Sequence, residues 1–139
     1  MNVSPSKPFG EDWIELEDSG FVGLVGPFYC KKQEADRLSF RFPTAEKHSN
    51  RTGVCQGGAL FTFADRALGM AVRARTGDQR TATLQLDIHF IDAVRLGEVV
   101  EISPVVLRAS KYVVFVNGEL KVGDKIVATV NGVWKRLAS

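Results

Sequence analysis

The sequence predicts an α+β domain in which an antiparallel sheet wraps one long, buried helix. Three observations predict it. Gly58 to Arg75 carries the one strong helical pattern, and apolar residues occupy most of its circumference. The segments on either side read as strands, with alternating or β-branched-rich patterns. Short connections between the later strands force antiparallel neighbours rather than parallel βαβ units.

Residues 1–12 are rich in Ser, Pro, Gly and Asn, and predict a frayed or loosely docked leader before a folded domain at 13–139. Phe21 to Val25 reads as a strand, and Leu38 to Phe42 alternates as a second. Pro27 and the polar stretch Lys31 to Asp36 predict a turn between them. Residues 43–53 form a polar loop without periodicity. In the helix, Leu60, Phe61, Phe63, Ala64, Ala67, Leu68, Met70, Ala71, Val72 and Ala74 form an apolar band so wide that other elements must enclose it. Gly77-Asp78 ends it.

After the helix the period changes to two. From Ala82 to Phe90 the even positions are apolar and the odd ones polar, as in a strand with one packed face. Glu98 to Leu107, Lys111 to Leu120 and Lys125 to Trp134 follow as strands, with a hairpin turn at Gly123-Asp124. Asn117-Gly118 and Asn131-Gly132 are rival signals for a turn or a bulge. Tyr112 to Val116 is apolar on both faces, which predicts a partner subunit against the outer one.

The chain of 139 residues accommodates one core of ordinary size. Eighteen basic against sixteen acidic residues leave a net charge of +2, and no run of like charge is present, which disfavours nucleic acid. Two cysteines, Cys30 and Cys55, supply neither a disulfide framework nor a metal site, and read as reduced thiols. No run of 18 apolar residues and no signal-peptide pattern is found, so a soluble, cytoplasmic protein without a membrane role is expected.

Chemistry concentrates between His48 and Asp65. A Gly57-Gly58 pair opening a buried helix exposes unpaired backbone N–H groups where the helix dipole is positive. Without side chains these residues let a ligand oxygen approach closely, which outlines an oxyanion hole for an acyl carbonyl. A plain tight turn into the helix is the competing reading. Asp65 is a carboxylate inside an apolar helix, and burial there calls for a partner or a function. A solvent-facing Asp65 paired with Arg66 or Arg73 is the alternative. Gly57 and Asp65 are eight residues apart, about 12 Å along one helix, too far to touch a single carbonyl. Two copies of the helix packed antiparallel about a two-fold would bring Gly57 of one near Asp65 of the other.

The pattern Asn50-x2-Gly53-x2-Gln56-Gly57-Gly58-x6-Asp65, followed by Arg66-Ala67-x-Gly69, resembles the signature of hotdog-fold acyl-CoA thioesterases of the phenylacetate-pathway (PaaI-like) type. Ala93-x3-Gly97-Glu98, Val127-Ala128 and Trp134 also suit that family. The resemblance runs from about residue 20 to the C-terminus. It implies a hotdog fold, subunits paired as dimers or tetramers, an acyl-CoA substrate and no cofactor. It further implies that the Gly57 N–H polarises the thioester carbonyl and that Asp65 of the facing subunit acts as general base or nucleophile. Asn50 would position the thioester or the water. Thr83 stands where related enzymes carry a hydroxyl that assists the water, although an ordinary strand Thr is the alternative. Gln56 departs from the usual His, so no titrating group stands there. Phe90 to Arg95 and Arg108 to Val113 match segments that contact coenzyme A. Gln56, Gly58, Phe90, Arg95, Arg108, Ser110 and Lys111 are therefore the expected substrate-binding residues, with solvated surface charge the alternative for each basic one. Rival readings are a hotdog hydratase or dehydratase, which needs a His that neither His48 nor His89 supplies, and a Cys55–His48 hydrolase. A non-catalytic acyl-CoA-binding module, which has no need of Asp65, is the rival from a different class.

Overall fold

The computed structural model describes residues 7–33 and 37–137. Eight strands form one antiparallel sheet: β1 (Ile14–Glu15), β2 (Tyr29–Lys32), β3 (Leu38–Pro43), β4 (Thr81–Phe90), β5 (Val99–Ile102), β6 (Val105–Ala109), β7 (Val113–Val122) and β8 (Lys125–Arg136). Their order is β1-β2-β3-β5-β7-β8-β4, and β6 pairs with β7 beyond the end of β5. A short helix α1 (Gly20–Val25) joins β1 to β2, and the long helix α2 (Gly57–Thr76) joins β3 to β4. This is the wrapped-helix arrangement expected from the sequence.

Helix α2 runs 20 residues, begins at an extended Gln56 cap and ends at Gly77 with φ +76°. Only glycine takes that left-handed conformation without strain. Its Phe63, Ala64, Leu68 and Val72 are fully buried against the sheet. Phe63 packs on Phe28 and Phe42, with ring centroids 5.1 and 5.4 Å away. Alanines at 64, 67 and 71 let the sheet approach the helix closely.

Phe21 to Val25 corrects the expected strand: it is helical. The sheet position beside β3 is filled by Tyr29–Lys32, which pairs with Leu38–Arg41, so residues 21–25 have no edge to join. They coil instead. Val22 and Val25 pack on the core, whereas Phe21 and Leu24 face outwards. The expected turn over Lys31 to Asp36 falls partly at 34–36, outside the described residues; Gln33 N–H donates to Arg37 O at 2.7 Å. Of the expected leader, residues 1–6 also lie outside the described residues. Phe9 stacks edge-on against Tyr29 at 5.1 Å.

Glu98 to Leu107 proves to be two strands broken at Ser103-Pro104. The Gly123-Asp124 hairpin is present, with Val122 opposite Lys125. Asn117-Gly118 and Asn131-Gly132 make no turn. They lie opposite one another inside the β7–β8 ladder, and the register shifts fall elsewhere, at Thr83/Gln85, Val106/Arg108 and Leu120/Lys121.

Gly132 has a packing reason. A Cβ there would lie inside van der Waals contact of the Trp134 ring, which is buried between β8 and α2. Gly132→Ala is therefore expected to lower stability by about 1–3 kcal/mol through overpacking. Urea unfolding checks it; an unchanged midpoint would show that the ring moves aside freely.

Candidate active site

Gln56 is extended at φ −70°, ψ 137°, and its side chain accepts a hydrogen bond from the Ala59 N–H at 3.2 Å. Its own N–H donates to His48 O at 2.7 Å. Gln56, expected among the substrate-binding residues, thus caps α2. The N–H groups of Gly57 and Gly58 donate to no protein acceptor among the described residues. A Cβ on Gly57 would lie 3.0 Å from Phe90 Cζ and press on that ring, and one on Gly58 would lie 2.6 Å from Gln56 Oε1 and displace the end of the capping side chain. Beside the Gly57 backbone opens a cavity of about 410 Å³ bordered by Cys55, Leu60, Phe90 and Val94.

The loop before α2 is held by Asn50. Its Oδ1 accepts from Thr52 N–H at 2.8 Å, Thr52 Oγ1 at 2.9 Å and Val54 N–H at 3.1 Å. This leaves the amide nitrogen of Asn50 as the group able to donate outwards. Val54 bridges to Arg95, and Cys55 N–H donates to Val94 O at 2.8 Å, so the loop leans on the β4–β5 connection. The Arg95 side chain is exposed and joins no ion pair among the described residues. The structure thus groups Asn50, Gln56, Gly57, Gly58, Phe90 and Arg95 at one end of the helix.

Asp65 lies two turns further on, half-buried on the flank of α2 that faces β4. Thr83 Oγ1 donates to Asp65 Oδ1 at 2.8 Å. Asp65 makes no ion pair with Arg66 or Arg73: Arg66 Nε binds Asp18 Oδ1 at 2.9 Å, and Arg73 points to solvent. A carboxylate oriented by a strand hydroxyl therefore sits about 12 Å from the Gly57 backbone along the same helix.

Arg108, Ser110 and Lys111 lie at the other end of the sheet. Leu120 is aligned through Ala128 with Phe90, whereas Val113 stands opposite Lys135. The seven residue steps from one to the other span roughly 23 Å of strand. Arg108 and Lys111 are exposed. The Ser110 hydroxyl is taken up by Val113, donating to its carbonyl at 2.9 Å and accepting from its N–H at 3.2 Å. Within one chain these three do not join Arg95.

Several residues that hold the site carry no sequence signal. Thr44 Oγ1 donates to Glu98 O at 2.6 Å and accepts from Gly97 N–H at 3.1 Å, fixing the turn that bears Arg95. Asp18 anchors Arg66 next to Asp65. Their partners are about fifty residues away, and no local spacing announces them.

A model of the thioesterase superfamily matches residues 52–129. Over 120 residues the chain is 32% identical to a candidate esterase of Pseudomonas aeruginosa, PA0474, covering 86% of this chain and 90% of the relative. Among solved structures it resembles a variant of the phenylacetic acid degradation protein PaaI from Thermus thermophilus, with a TM-score of 0.75 and 21% identity over 84% of this chain and 98% of that one. It also resembles the BH2602 protein of Bacillus halodurans, solved with CoA, with a TM-score of 0.71 and 23% identity over 79% of this chain and 74% of that one. The wrapped helix is shared with both, which establishes the hotdog fold.

The rival nucleophile Cys55 is unsuited to the work. His48 is buried; its Nδ1 accepts from Ala45 N–H at 2.9 Å, and its Nε2 is hydrogen-bonded to Val25 O. Neither ring nitrogen is left to take a proton from a thiol. Burial pushes the thiols of Cys55 and Cys30 up to about 11. At pH 8 only on the order of one thiol in a thousand is then ionised. An aromatic disulfide reagent is expected to label the native protein slowly at pH 8 and faster as pH rises towards 11, with two thiols released at once in denaturant. Rapid native labelling of Cys55 at pH 8 would contradict its burial.

Proposed function

The chain belongs to the thioesterase superfamily, and on that premise we propose that it hydrolyses acyl-CoA thioesters to the free acid and coenzyme A at sites shared between two copies. The observation that carries this reading is the Thr83–Asp65 hydrogen bond at 2.8 Å. It fixes one carboxylate oxygen and leaves the other to accept a proton from water. The unpaired Gly57 N–H supplies the complementary half, a donor at the positive end of a helix for the oxygen that becomes an oxyanion.

The separation of these halves along one helix supports a second copy. Strand β4 ends the sheet, with its outer edge unpaired among the described residues and Leu84, Phe90 and Ile91 exposed beside it. A ten-residue edge of that character is a template for a further strand. An antiparallel pairing would set the facing copy's helix beside this one. The thioester carbonyl would then lie between the Gly57 N–H of one copy and Asp65 of the other. Arg108 and Lys111 of the facing copy would also approach the end that carries Arg95, giving CoA phosphates cations from both chains.

In the reaction, Asp65 removes a proton from water as the water oxygen attacks the carbonyl carbon. The carbonyl oxygen takes up negative charge against the Gly57 N–H. Collapse of the tetrahedral intermediate breaks the carbon–sulfur bond, and the proton on Asp65 goes to the departing thiolate. Direct attack by the carboxylate, followed by hydrolysis of the anhydride, uses the same groups. Asn50 donates through its amide nitrogen to the thioester or the water. The similarity to a CoA-bound fold supports CoA as the leaving group.

Asp65→Asn is expected to lower kcat about a thousandfold on a panel of aryl- and medium-chain acyl-CoAs, with an unchanged melting temperature. Thr83→Ala should cost about tenfold. Equal rates for Asp65→Asn and wild type would remove Asp65 from the mechanism, and absence of turnover on the whole panel would favour a binding module.

A second prediction addresses the shared site. Compared with Gly57→Ala, which keeps the N–H but adds the Cβ that meets Phe90, Gly57→Pro deletes the N–H as well, because proline suits the first helical position and Gln56 already has the extended ψ that precedes proline. Its loss should be about a hundredfold in kcat. Mixing Gly57→Pro with Asp65→Asn under subunit exchange should restore about a quarter of wild-type activity, since half the dimers would be mixed and each would hold one intact site. No recovery despite exchange, verified by mass spectrometry, would place both groups in one chain's site.

A further inference from the structure

Gly69 lies in the interior of α2, where glycine is less favourable than alanine. Nothing inside the chain demands it: an added Cβ would meet the Trp134 ring at 3.5 Å or beyond, an ordinary contact. The atom nearest that point is Trp134 Nε1. The ring is only 2% exposed, yet its N–H donates to no acceptor among the described residues. It is also absent from the fully enclosed polar atoms without a partner, of which Asp18 Oδ2 is the one found among the described residues, so this nitrogen keeps an opening to the outside. A nearly buried donor left unpaired is costly unless something accepts from it.

Its place relates it to the proposed reaction. Gly69 is four residues from Asp65, one turn further along the same flank of α2 and about 6 Å away. Trp134 stands opposite Thr83 in the β4–β8 ladder, and Thr83 is the residue that holds Asp65. Gly69 bares the indole edge where any larger side chain would cover it. We propose that Gly69 and Trp134 form a recognition shelf for the acyl group, in which the indole N–H donates to an acceptor oxygen about one helical turn from the thioester carbon. The inference rests on the proposed placement of the acyl-CoA thioester at Asp65. An apolar chain of the same length lies over the shelf but leaves the N–H unpaired, so the shelf discriminates between acyl groups by an oxygen at that distance.

Titration calorimetry with two non-hydrolysable CoA thioethers, one carrying a hexyl chain and one a 5-oxohexyl chain, reads this without turnover. The keto analogue is expected to bind about tenfold more tightly to wild type, and in Trp134→Phe the ratio should fall to about one. Gly69→Leu, which covers the shelf from the helix side, should likewise abolish the ratio and weaken both chains relative to CoA itself. Equal affinities in wild type, or the same ratio in Trp134→Phe, would overturn the inference. Dissociation of the oligomer by Gly69→Leu with the ratio intact would also overturn it, assigning Gly69 to contact between copies instead. If wild type shows the ratio but hydrolyses neither hexanoyl- nor 5-oxohexanoyl-CoA, the thioesterase reading fails and the shelf stands.

Discussion

The enclosure of α2 is the constraint on which the rest of the molecule depends. A 20-residue helix with Phe63, Ala64, Ala67, Leu68 and Val72 turned inwards loses its main stabilisation unless a sheet covers that face. Covering it takes strands from both sides of the helix in sequence, so the sheet must curl and its order must interleave β3 with β5 and β8 with β4. The aromatic cluster of Phe28, Phe42 and Phe63 closes one end of the core, and Trp134 lies across the other. What the sheet leaves uncovered is the helix N-terminus and the flank along β4. The groups proposed for the reaction stand on those two uncovered parts.

The same enclosure explains why the backbone of Gly57 and the carboxylate of Asp65 are held so stiffly. The Gly57 backbone is fixed from below by the Gln56 cap and from beside by Phe90, and Asp65 is set by a hydroxyl on the neighbouring strand. One is a backbone group and the other sits on a short side chain, so little ordering entropy is lost on binding. Away from the site, Arg136 ties the end of β8 to Asp78 with two hydrogen bonds at 2.6 and 3.1 Å, and holds the carboxyl of Asp78 below its ordinary range. That pair fastens the helix C-terminus to the strand carrying Trp134. The two ends of α2 are thus anchored by different means, a side-chain cap at the start and an ion pair just past the finish.

A helix rises by a fixed amount per residue, and in the proposed site that geometry would divide labour between copies. Gly57 and Asp65 stand about 12 Å apart however the chain folds around them. One subunit can present both groups but cannot bring them to the same carbonyl. An unpaired β4 edge on the flank bearing Asp65 is where a second copy would resolve that separation. The indole N–H of Trp134 opens on the same flank, one turn beyond the carboxylate, so acyl discrimination and hydrolysis would share the wall that a second copy faces.

The amino-acid sequence by itself determined the long buried helix, its glycine-rich start, the carboxylate within it and the strand Thr83, because each is written in local spacing along a helix or strand. It misread Phe21 to Val25, since an apolar β-branched run suits a strand as well as a short helix, and only the claim of Tyr29–Lys32 on the edge of β3 excluded the first. It also could not tell that Asn117-Gly118 and Asn131-Gly132 would face each other inside a ladder, because a turn signal is overridden when both flanking segments are already paired. Which groups meet was decided by tertiary structure alone. The Thr83–Asp65 bond, the Asp18–Arg66 pair and the bared edge of Trp134 join residues 18, 48 and 65 positions apart in the chain. Contacts at such separations follow from how the sheet curls around α2, a property of the whole core that no short window of residues contains.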